Sequence, residues 1–394
     1  MYKNRILTAC LFIMLSTPAN AVEFGPVEVH GFLSQGYMHS SHYDFLTDSN
    51  GGTARFNEFG VNFMYDFNDD LRAGMQIVSR DMGYLEDNSP KIDWAFADYH
   101  YKDWLGLRLG KVKIPLGIYN DVLDVDAARS QIVPPMSVYN FYLRDLTLAV
   151  IGGSVYGNVP IDKIGDFDYT IYAGNVPLEA NSSLEGMMEI MSGSSLHHAE
   201  NDYAFGGNIK WNSTIGLALN ASYVKANEVI TEGNLLASSM PYKNEIEATA
   251  TSFGAEFVWN DLTFLTEYLA IDQDINATIT TPIGNVVTDN SNTMDGWYAQ
   301  VSYKLTEEFE ASTYYSASYR NGDDENGQEA LAAGTISKDY QAWHKDLAIT
   351  GRYDLNEDII IKIEGHLIDG AALVFGTPDK RYWNFWAVKA TYMF

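Results

Sequence analysis

Hydrophobic and polar residues alternate along most of this chain with a period of two. In residues 55–67, Phe59 and Phe63 fall on one face, whereas Glu58 and Asn62 fall on the other. Such a pattern predicts a β-strand with one apolar face. It recurs in sixteen stretches, which are residues 27–41, 55–67, 71–82, 92–101, 104–114, 144–157, 167–177, 202–211, 215–227, 250–259, 262–272, 294–305, 308–319, 339–354, 359–369 and 383–394.

The connections between these stretches are alternately short and long. Short turns such as 68–70 and 260–261 alternate with long connections near residues 42–54, 83–90, 115–143, 178–201, 228–247, 273–292, 320–338 and 370–381. Strands cross a lipid bilayer only as a closed barrel, because every backbone N–H and C=O must be paired there. Outer-membrane barrels have even strand numbers, short turns at one end and long loops at the other. The pattern therefore predicts an all-β fold, a transmembrane antiparallel β-barrel of 16 strands. A soluble sandwich or propeller, the alternative, requires no such alternation.

The first 21 residues have the features of a secretory signal peptide. Lys3 and Arg5 precede an apolar stretch, residues 6–15, and Ala19-Asn20-Ala21 is a small-residue cleavage site. We therefore predict a cleaved signal peptide, residues 1–21, followed by a single barrel domain, residues 22–394. A lipoprotein site at Cys10 is the less favoured alternative. If Cys10 is removed with the signal peptide, the mature chain has no cysteine and no disulfide.

The chain ends on a strand, WNFWAVKATYMF, with no polar tail after Phe394. Chain ends usually fray unless they are held in place. A closed barrel provides this restraint, because its last strand pairs with both the fifteenth and the first. In that arrangement Lys389 and Thr391 face the lumen, and the residues that face lipid are Trp386, Val388, Ala390, Tyr392 and Phe394.

The number and position of charged residues argue against nucleic-acid binding and in favour of a water-filled interior. The chain has 25 basic and 52 acidic residues, so it carries no basic footprint for nucleic acid. Many charged residues fall on the predicted inner face, where a packed core would make them costly. A water-filled lumen accommodates them. The inward candidates are Glu58, Arg72, Arg80, Arg108, Asp168, Lys210, Glu256, Glu267, Gln300, Lys304, Glu310, Arg352, Lys362, Glu364, His366 and Lys389.

Two motifs resemble a known family, the trimeric outer-membrane porins with sixteen strands. The stretch LRLGKVKIPLGIYND, residues 107–121, is similar to the strand that enters the third loop in the phosphate-selective and other substrate-specific porins. Phe394 and Tyr392 are similar to the signal read by the barrel-insertion machinery. The resemblance implies a homotrimer in the bacterial outer membrane, in contact with lipid and lipopolysaccharide, whose long third outer loop folds into the lumen. The chain lacks an arginine- and lysine-rich third loop, which argues against phosphate selectivity.

The third long connection, residues 115–143, is the candidate site. A loop of this length is usually functional or disordered, and the apolar residues within it suggest that it packs inside the barrel mouth. We predict that it narrows the pore with Asp121, Asp124, Asp126 and Arg129. The opposing basic wall is predicted to contain Arg72, Arg80, Arg108, Lys111 and Lys113. Alternatively the carboxylates form a solvated loop face, or Lys111 and Lys113 only anchor the loop.

The predicted function is passive diffusion of small hydrophilic solutes and ions through a water-filled channel. The alternatives are a channel specific for one anion, carboxylate or sugar, and a surface receptor or adhesin with acidic outer loops. No Gly-x-Ser-x-Gly elbow is present and the eight histidines are scattered, so no enzyme activity is expected. Asp121-x-x-Asp124-x-Asp126 lacks the residue order of a calcium loop. We therefore expect no metal and no cofactor.

Overall fold

Sixteen strands form a closed antiparallel barrel in the computed structural model, which describes residues 26–83, 85–178, 184–185, 188, 193–374 and 378–394. Each strand pairs with its neighbours in chain order, and the first pairs with the last. The strands are β1 Val27–Ser40, β2 Asn57–Asp66, β3 Leu71–Asp81, β4 Lys91–Lys102, β5 Leu105–Lys113, β6 Ala149–Ile161, β7 Gly165–Asn175, β8 Ser194–Asn212, β9 Leu217–Leu235, β10 Pro241–Trp259, β11 Leu262–Thr281, β12 Gly284–Lys304, β13 Phe309–Tyr319, β14 Trp343–Asp354, β15 Ile359–Gly370 and β16 Tyr382–Met393. The predicted fold class is confirmed. The predicted signal peptide lies outside the described residues.

The closing contact is made by the end of the chain. Phe32 pairs with Met393 and the register continues to Ser40 opposite Phe385. Phe394 extends this pairing, because its N–H donates to the Gly31 carbonyl at 3.0 Å and its carbonyl accepts from the Gly31 N–H at 2.8 Å. The last residue therefore contributes to barrel closure.

Strands β8 to β12 are longer than the alternation predicts. They contain 19 to 21 residues each, about twice the 9–11 that cross a bilayer. Two of the predicted long connections, residues 228–247 and 273–292, are therefore wrong; the breaks shorten to 236–240 and 282–283. Beyond the membrane both faces of such a hairpin meet water, so the hydrophobic alternation is lost while the hydrogen-bond ladder continues. Residues 284–291 are accordingly exposed on both faces.

The few helices lie in the connections. Helix α1, Arg144–Thr147, precedes β6, so the predicted start of this strand at residue 144 is wrong. Helix α2, Gln328–Ala333, lies between β13 and β14. Among the described residues, no helix combines the length and the hydropathy needed to cross a membrane.

The two faces of the wall differ in the way the sequence predicts. Inward-facing Lys362, Glu364 and Lys389 are almost completely buried beneath other groups in the barrel. Large apolar side chains are instead exposed around the outer surface, which is the reverse of a soluble protein. They include Leu107, Leu109, Ile151, Ile171, Ile209, Phe253, Ile349, Ile363 and Leu367.

Candidate functional site in the barrel interior

The long connection between β5 and β6 crosses the barrel interior. We call residues 114–148 the inner segment. Its two ends are joined where the Ile114 N–H donates to the Leu148 carbonyl at 3.0 Å. From there the chain reaches β11, where the Ile118 N–H donates to Glu267 Oε1 at 2.8 Å. The inner segment therefore contacts the wall opposite its origin.

The farthest part of the inner segment is held by two inward-facing side chains of β15. Glu364 accepts the N–H groups of Ile132 and Val133 at 2.9 and 2.8 Å. Lys362 Nζ donates to the Arg129 carbonyl at 2.8 Å. A carboxylate that accepts two backbone N–H groups fixes a backbone, not only a side chain. This stretch of the inner segment is thus docked in one orientation.

Apolar packing completes the docking on both sides. One cluster joins the inner segment to β1, β16 and the outer connections, through Ile132, Val133, Met136, Phe141, Tyr142, Met38, Phe45, Leu46, Leu373, Trp383 and Phe385. The other joins it to β5–β8 and β10–β12, through Ile114, Leu116, Leu123, Val138, Tyr139, Val150, Tyr172, Leu265, Leu269 and Tyr298. Apolar burial of this extent holds a segment firmly.

Asp126, one of the predicted constriction residues, is buried and paired. Its Oδ1 lies 3.1 Å from Lys362 Nζ and 3.2 Å from Lys389 Nζ, and its Oδ2 accepts the Thr391 hydroxyl at 2.9 Å. Arg129 Nη1 lies 3.9 Å from the same carboxylate and donates to carbonyls of its own loop. These contacts tie the inner segment to β15 and β16.

Asp124 is buried in a second ion cluster at the base of the inner segment. Its carboxylate lies 2.8 Å from Lys113 Nζ and 2.5 Å from Arg144 Nη2. The same two cations lie 3.0 and 3.6 Å from Asp93. The cluster thus contains two carboxylates and two basic side chains, at the point where the inner segment leaves β5 and returns to β6. Lys113 therefore anchors the inner segment through Asp124, as the alternative to a pore-wall role predicts.

The hydrophobic pattern does not predict that Asp93 and Arg144 belong to this ion cluster. Asp93 belongs to β4, where the register shifts between the pairs Gln76–Trp94 and Ile77–Ile92. This bulge adds a residue to one strand and brings Asp93 within 3.2 Å of the inward-facing Gln76. Arg144 was assigned to a strand but lies in α1. An acidic residue beside Trp94, out of phase with the alternation, was the only signal of the bulge.

Acid should protonate Asp124 only below the ordinary range of a carboxyl. Burial alone would raise the pKa of Asp124, but the charges of Arg144 and Lys113 hold that pKa well below its usual value. A carboxyl with a lowered folded-state pKa stabilises the fold above its unfolded pKa, and this stability is lost as pH falls through the folded pKa. We expect the contacts of Asp124 with Lys113 and Arg144 to persist from neutral pH down to about pH 4 and to weaken below it. Channel current noise compared between the unaltered protein and Asp124→Asn at each pH measures this, and a difference between the two that disappears above pH 6 would contradict it.

Asp121, Arg129 and Arg80, three other residues predicted at the constriction and in the basic wall, differ in exposure. Asp121 is exposed, whereas Arg129 is 5% exposed. Arg80 is also buried; its Nε lies 2.6 Å from Glu86, and its Nη1 lies 3.6 Å from Glu58. Of the four predicted constriction residues, Asp121 alone has an exposed side chain.

Two arginines of the predicted wall share one carboxylate. Arg72 Nη2 and Arg108 Nε lie 2.9 and 3.3 Å from Asp98 Oδ2. The Arg108 guanidinium also lies 4.3 Å from the centre of the Tyr156 ring. The side chains of Arg72 and Arg108 are 46% and 34% exposed, so both retain contact with water.

Lys111 lies elsewhere than predicted. It pairs in register with Ile151, which is 54% exposed on the outer surface, and its Nζ donates to the Ile92 carbonyl at 2.6 Å. Opposing residues of an antiparallel pair point to the same side of a sheet. The predicted place of Lys111 in the pore wall is therefore wrong, because it shares the outer face of β5 with Leu107 and Leu109.

Two cavities lie on either side of the inner segment. The cavity at the short-turn end has a volume of about 290 Å³ and is lined mainly by polar and charged groups, including Arg129, Ser130, Glu256, Gln300, Lys304, Glu310 and Arg352. The cavity at the long-connection end has about 380 Å³. We call it the outer cavity. Among the described residues, none lines both cavities. Within the same described ranges, His, Cys, Asp and Glu form no group of three that could hold a metal ion.

Comparisons with known proteins rest on the fold. No family model and no curated protein sequence matches the chain. OmpT of Vibrio cholerae, solved also in a trimer form, has a similar structure with TM-score 0.58 and 11% identity, over 95% of this chain and 100% of that one. The channel DcaP of Acinetobacter baumannii has TM-score 0.57 and 12% identity, over 93% and 97%. An anion-selective porin from Comamonas acidovorans has TM-score 0.56 and 10% identity, over 93% and 99%. The chain therefore has the closed sixteen-stranded barrel fold of outer-membrane porins.

Proposed function

We propose that this protein is a porin of the bacterial outer membrane, through which small hydrophilic solutes and ions diffuse passively. The observation that carries the proposal is the reversed polarity of a closed barrel, with exposed apolar residues outside and charged residues inside. A lipid environment requires this polarity, and sixteen strands enclose enough space for water. The predicted signal peptide and the fold shared with channel proteins support the same location.

The inner segment is the proposed constriction. It lies between the two cavities and is docked on the far wall, so solutes must pass beside it. Asp121 is exposed on its surface, and Arg72 and Arg108 keep exposed guanidinium groups on the wall. An acidic loop opposite a basic wall creates a transverse field that selects solutes by charge. Asp124, Asp126 and Arg129 contribute by holding the segment in place.

Single-channel recording in planar bilayers tests the proposal. A general pore gives steady conductance steps with weak ion selectivity and no saturation by small neutral solutes. A substrate-specific channel, the second candidate, gives saturable block by one class of solute, and the apolar lining of the outer cavity favours this candidate. Absence of any conductance from correctly folded barrel would refute both. A receptor or adhesin would instead bind a partner without conducting.

A homotrimer is the proposed assembly, and no enzyme activity is proposed. The trimer form of OmpT from Vibrio cholerae supports a trimer for a barrel of this fold. Light scattering on the detergent-solubilised protein, corrected for bound detergent, should give three chains per particle. A mass of one chain under the mildest extraction would contradict this assembly.

Removing the last residue should impair assembly. Phe394 makes two backbone hydrogen bonds to Gly31 and stacks with Tyr392 at 6.0 Å between ring centres. We expect deletion of Phe394 to reduce folded barrel in the outer membrane severalfold, measured as heat-modifiable protein on gels. Tyr382→Ser, at the other end of β16, serves as the control because Tyr382 is exposed. Equal amounts of folded protein from both variants would contradict an insertion signal at Phe394.

A further inference from the structure

The outer cavity has an apolar wall where a water-filled lumen should be polar. Porin interiors are polar, and the cavity at the short-turn end of this barrel follows that rule. Most residues of β9, β10 and β11 that line the outer cavity are instead apolar, including Val224, Ala226, Ile246, Ala248, Ala250 and Ile271, whereas Thr231 and Gln273 are polar. Passive diffusion of hydrophilic solutes gives no reason for this composition.

The cavity is bounded on its other sides as well. Leu143 and Leu146 of the inner segment form part of its base, Met294 of β12 continues the wall, and Leu373 closes one side from the β15–β16 connection. Its volume of about 380 Å³ lies within the ~300–1,000 Å³ of typical small-molecule sites. The space therefore fits a compact apolar group and not only a few waters.

Arg320 is the only charged side chain among the described residues that line this cavity. Its Nε and Nη2 donate to the Ala372 carbonyl at 3.0 and 2.8 Å, and its side chain is exposed. No carboxylate of the described residues lies within 4.0 Å of it, although the chain has 52 acidic residues. Arg381, by contrast, is paired with Asp369 at 2.7 Å. An arginine without an ion pair beside an apolar cavity is available to an anionic ligand.

We propose that the outer cavity binds a small carboxylate with an apolar body, such as an aromatic acid. The body packs against Val224, Ala248 and Ile271, and the carboxylate pairs with the Arg320 guanidinium. A guanidinium matches a carboxylate through two parallel N–H donors, here one each from Nη1 and Nη2, because Nε already donates to Ala372. Packing of the hydrocarbon body against the apolar wall is favourable because it removes that body from water. This inference deepens the proposed channel function, on which it rests, by naming a solute class that the channel concentrates at its outer end.

Isothermal titration calorimetry on the full barrel in lipid nanodiscs tests binding apart from conduction, with empty nanodiscs subtracted. The probes are 4-tert-butylbenzoate, its neutral isostere 4-tert-butylbenzamide, and acetate. We expect saturable binding of the benzoate, about tenfold weaker binding of the benzamide because it lacks the charge, and none of acetate. Equal affinities for benzoate and benzamide, or no saturable benzoate binding, would overturn the proposal.

Two variants locate the site. Arg320→Gln should weaken benzoate binding about tenfold and leave benzamide binding unchanged, because only the charged pair is lost. Lys380→Gln is the matched control, since it removes one exposed positive charge of the outer connections but does not line the cavity. Ala248→Phe should weaken both ligands by filling the cavity. Benzoate binding that survives Arg320→Gln and Ala248→Phe would overturn the assignment to this cavity.

Conductance separates this inference from the proposed function. Normal channel steps without benzoate binding refute the carboxylate site and leave the channel intact. Benzoate binding without conductance refutes the channel and supports the site alone. When both are present, benzoate added at the outer end should cause flickering block that Arg320→Gln relieves.

Discussion

Deleting residues 119–135 and joining the ends with a short Gly-Ser linker is expected to raise single-channel conductance severalfold. The deleted stretch contains the contacts that dock the inner segment on β15 and β16, including those of Asp126 and Val133. It also contributes to the structure that separates the outer cavity from the cavity at the short-turn end. Without it, Lys362 and Glu364 should become hydrated walls of a wider pore. Conductance in planar bilayers at fixed salt concentration measures the change.

A deletion of similar length outside the lumen provides the control. Residues 275–290 form the tip of the β11–β12 hairpin, where Ile275 pairs with Asn290 and much of the surface is exposed. Their removal should leave the conductance unchanged. Heat modifiability on gels must be the same for both deletions, so that only folded barrels are compared. An unchanged step after deletion of 119–135 would refute the inner segment as the constriction.

The sequence predicts the barrel wall well because the bilayer imposes a strict rule on each spanning strand. Trp386, Val388 and Ala390 point outward while Lys389 and Thr391 point inward, as alternation requires. This alternation is required only in the part of each strand that spans the bilayer. Residues 284–291 have β-strand pairing without an apolar face, so their alternation was not recognisable and a loop was predicted.

The interior of the barrel is less predictable for a different reason. The length and apolar content of residues 115–143 indicate a packed segment, but not its partners. Asp126 pairs with Lys362, 236 residues later in the chain, and no local pattern selects that lysine among the other inward-facing cations. The bulge that turns Asp93 inward likewise depends on the fit between β3 and β4. Buried ion pairs are thus properties of the closed fold, and the sequence indicates only which residues are available.

Replacing Asp126 with Asn is expected to loosen the inner segment. The carboxylate is almost fully buried and neutralises Lys362, whose side chain is 0% exposed. Breaking a buried pair by removing one partner typically costs about 3–5 kcal/mol, because the other charge stays buried without compensation. Lys389 is less affected since it also pairs with Glu58. We expect frequent transitions to higher conductance, and faster proteolysis within residues 119–135.

Two comparisons identify the cause of such loosening. Asp121→Asn removes the same charge from an exposed position of the inner segment, so it should leave proteolysis unchanged. In the double variant, Asp126→Asn with Lys362→Met, no unpaired ammonium remains at Lys362, and part of the lost protection should return. The recovery is incomplete because Lys362 also donates to the Asp126 and Arg129 carbonyls at 2.6 and 2.8 Å. If the double variant is digested faster than Asp126→Asn, those backbone contacts, and not the buried charge pair, hold the inner segment in the lumen.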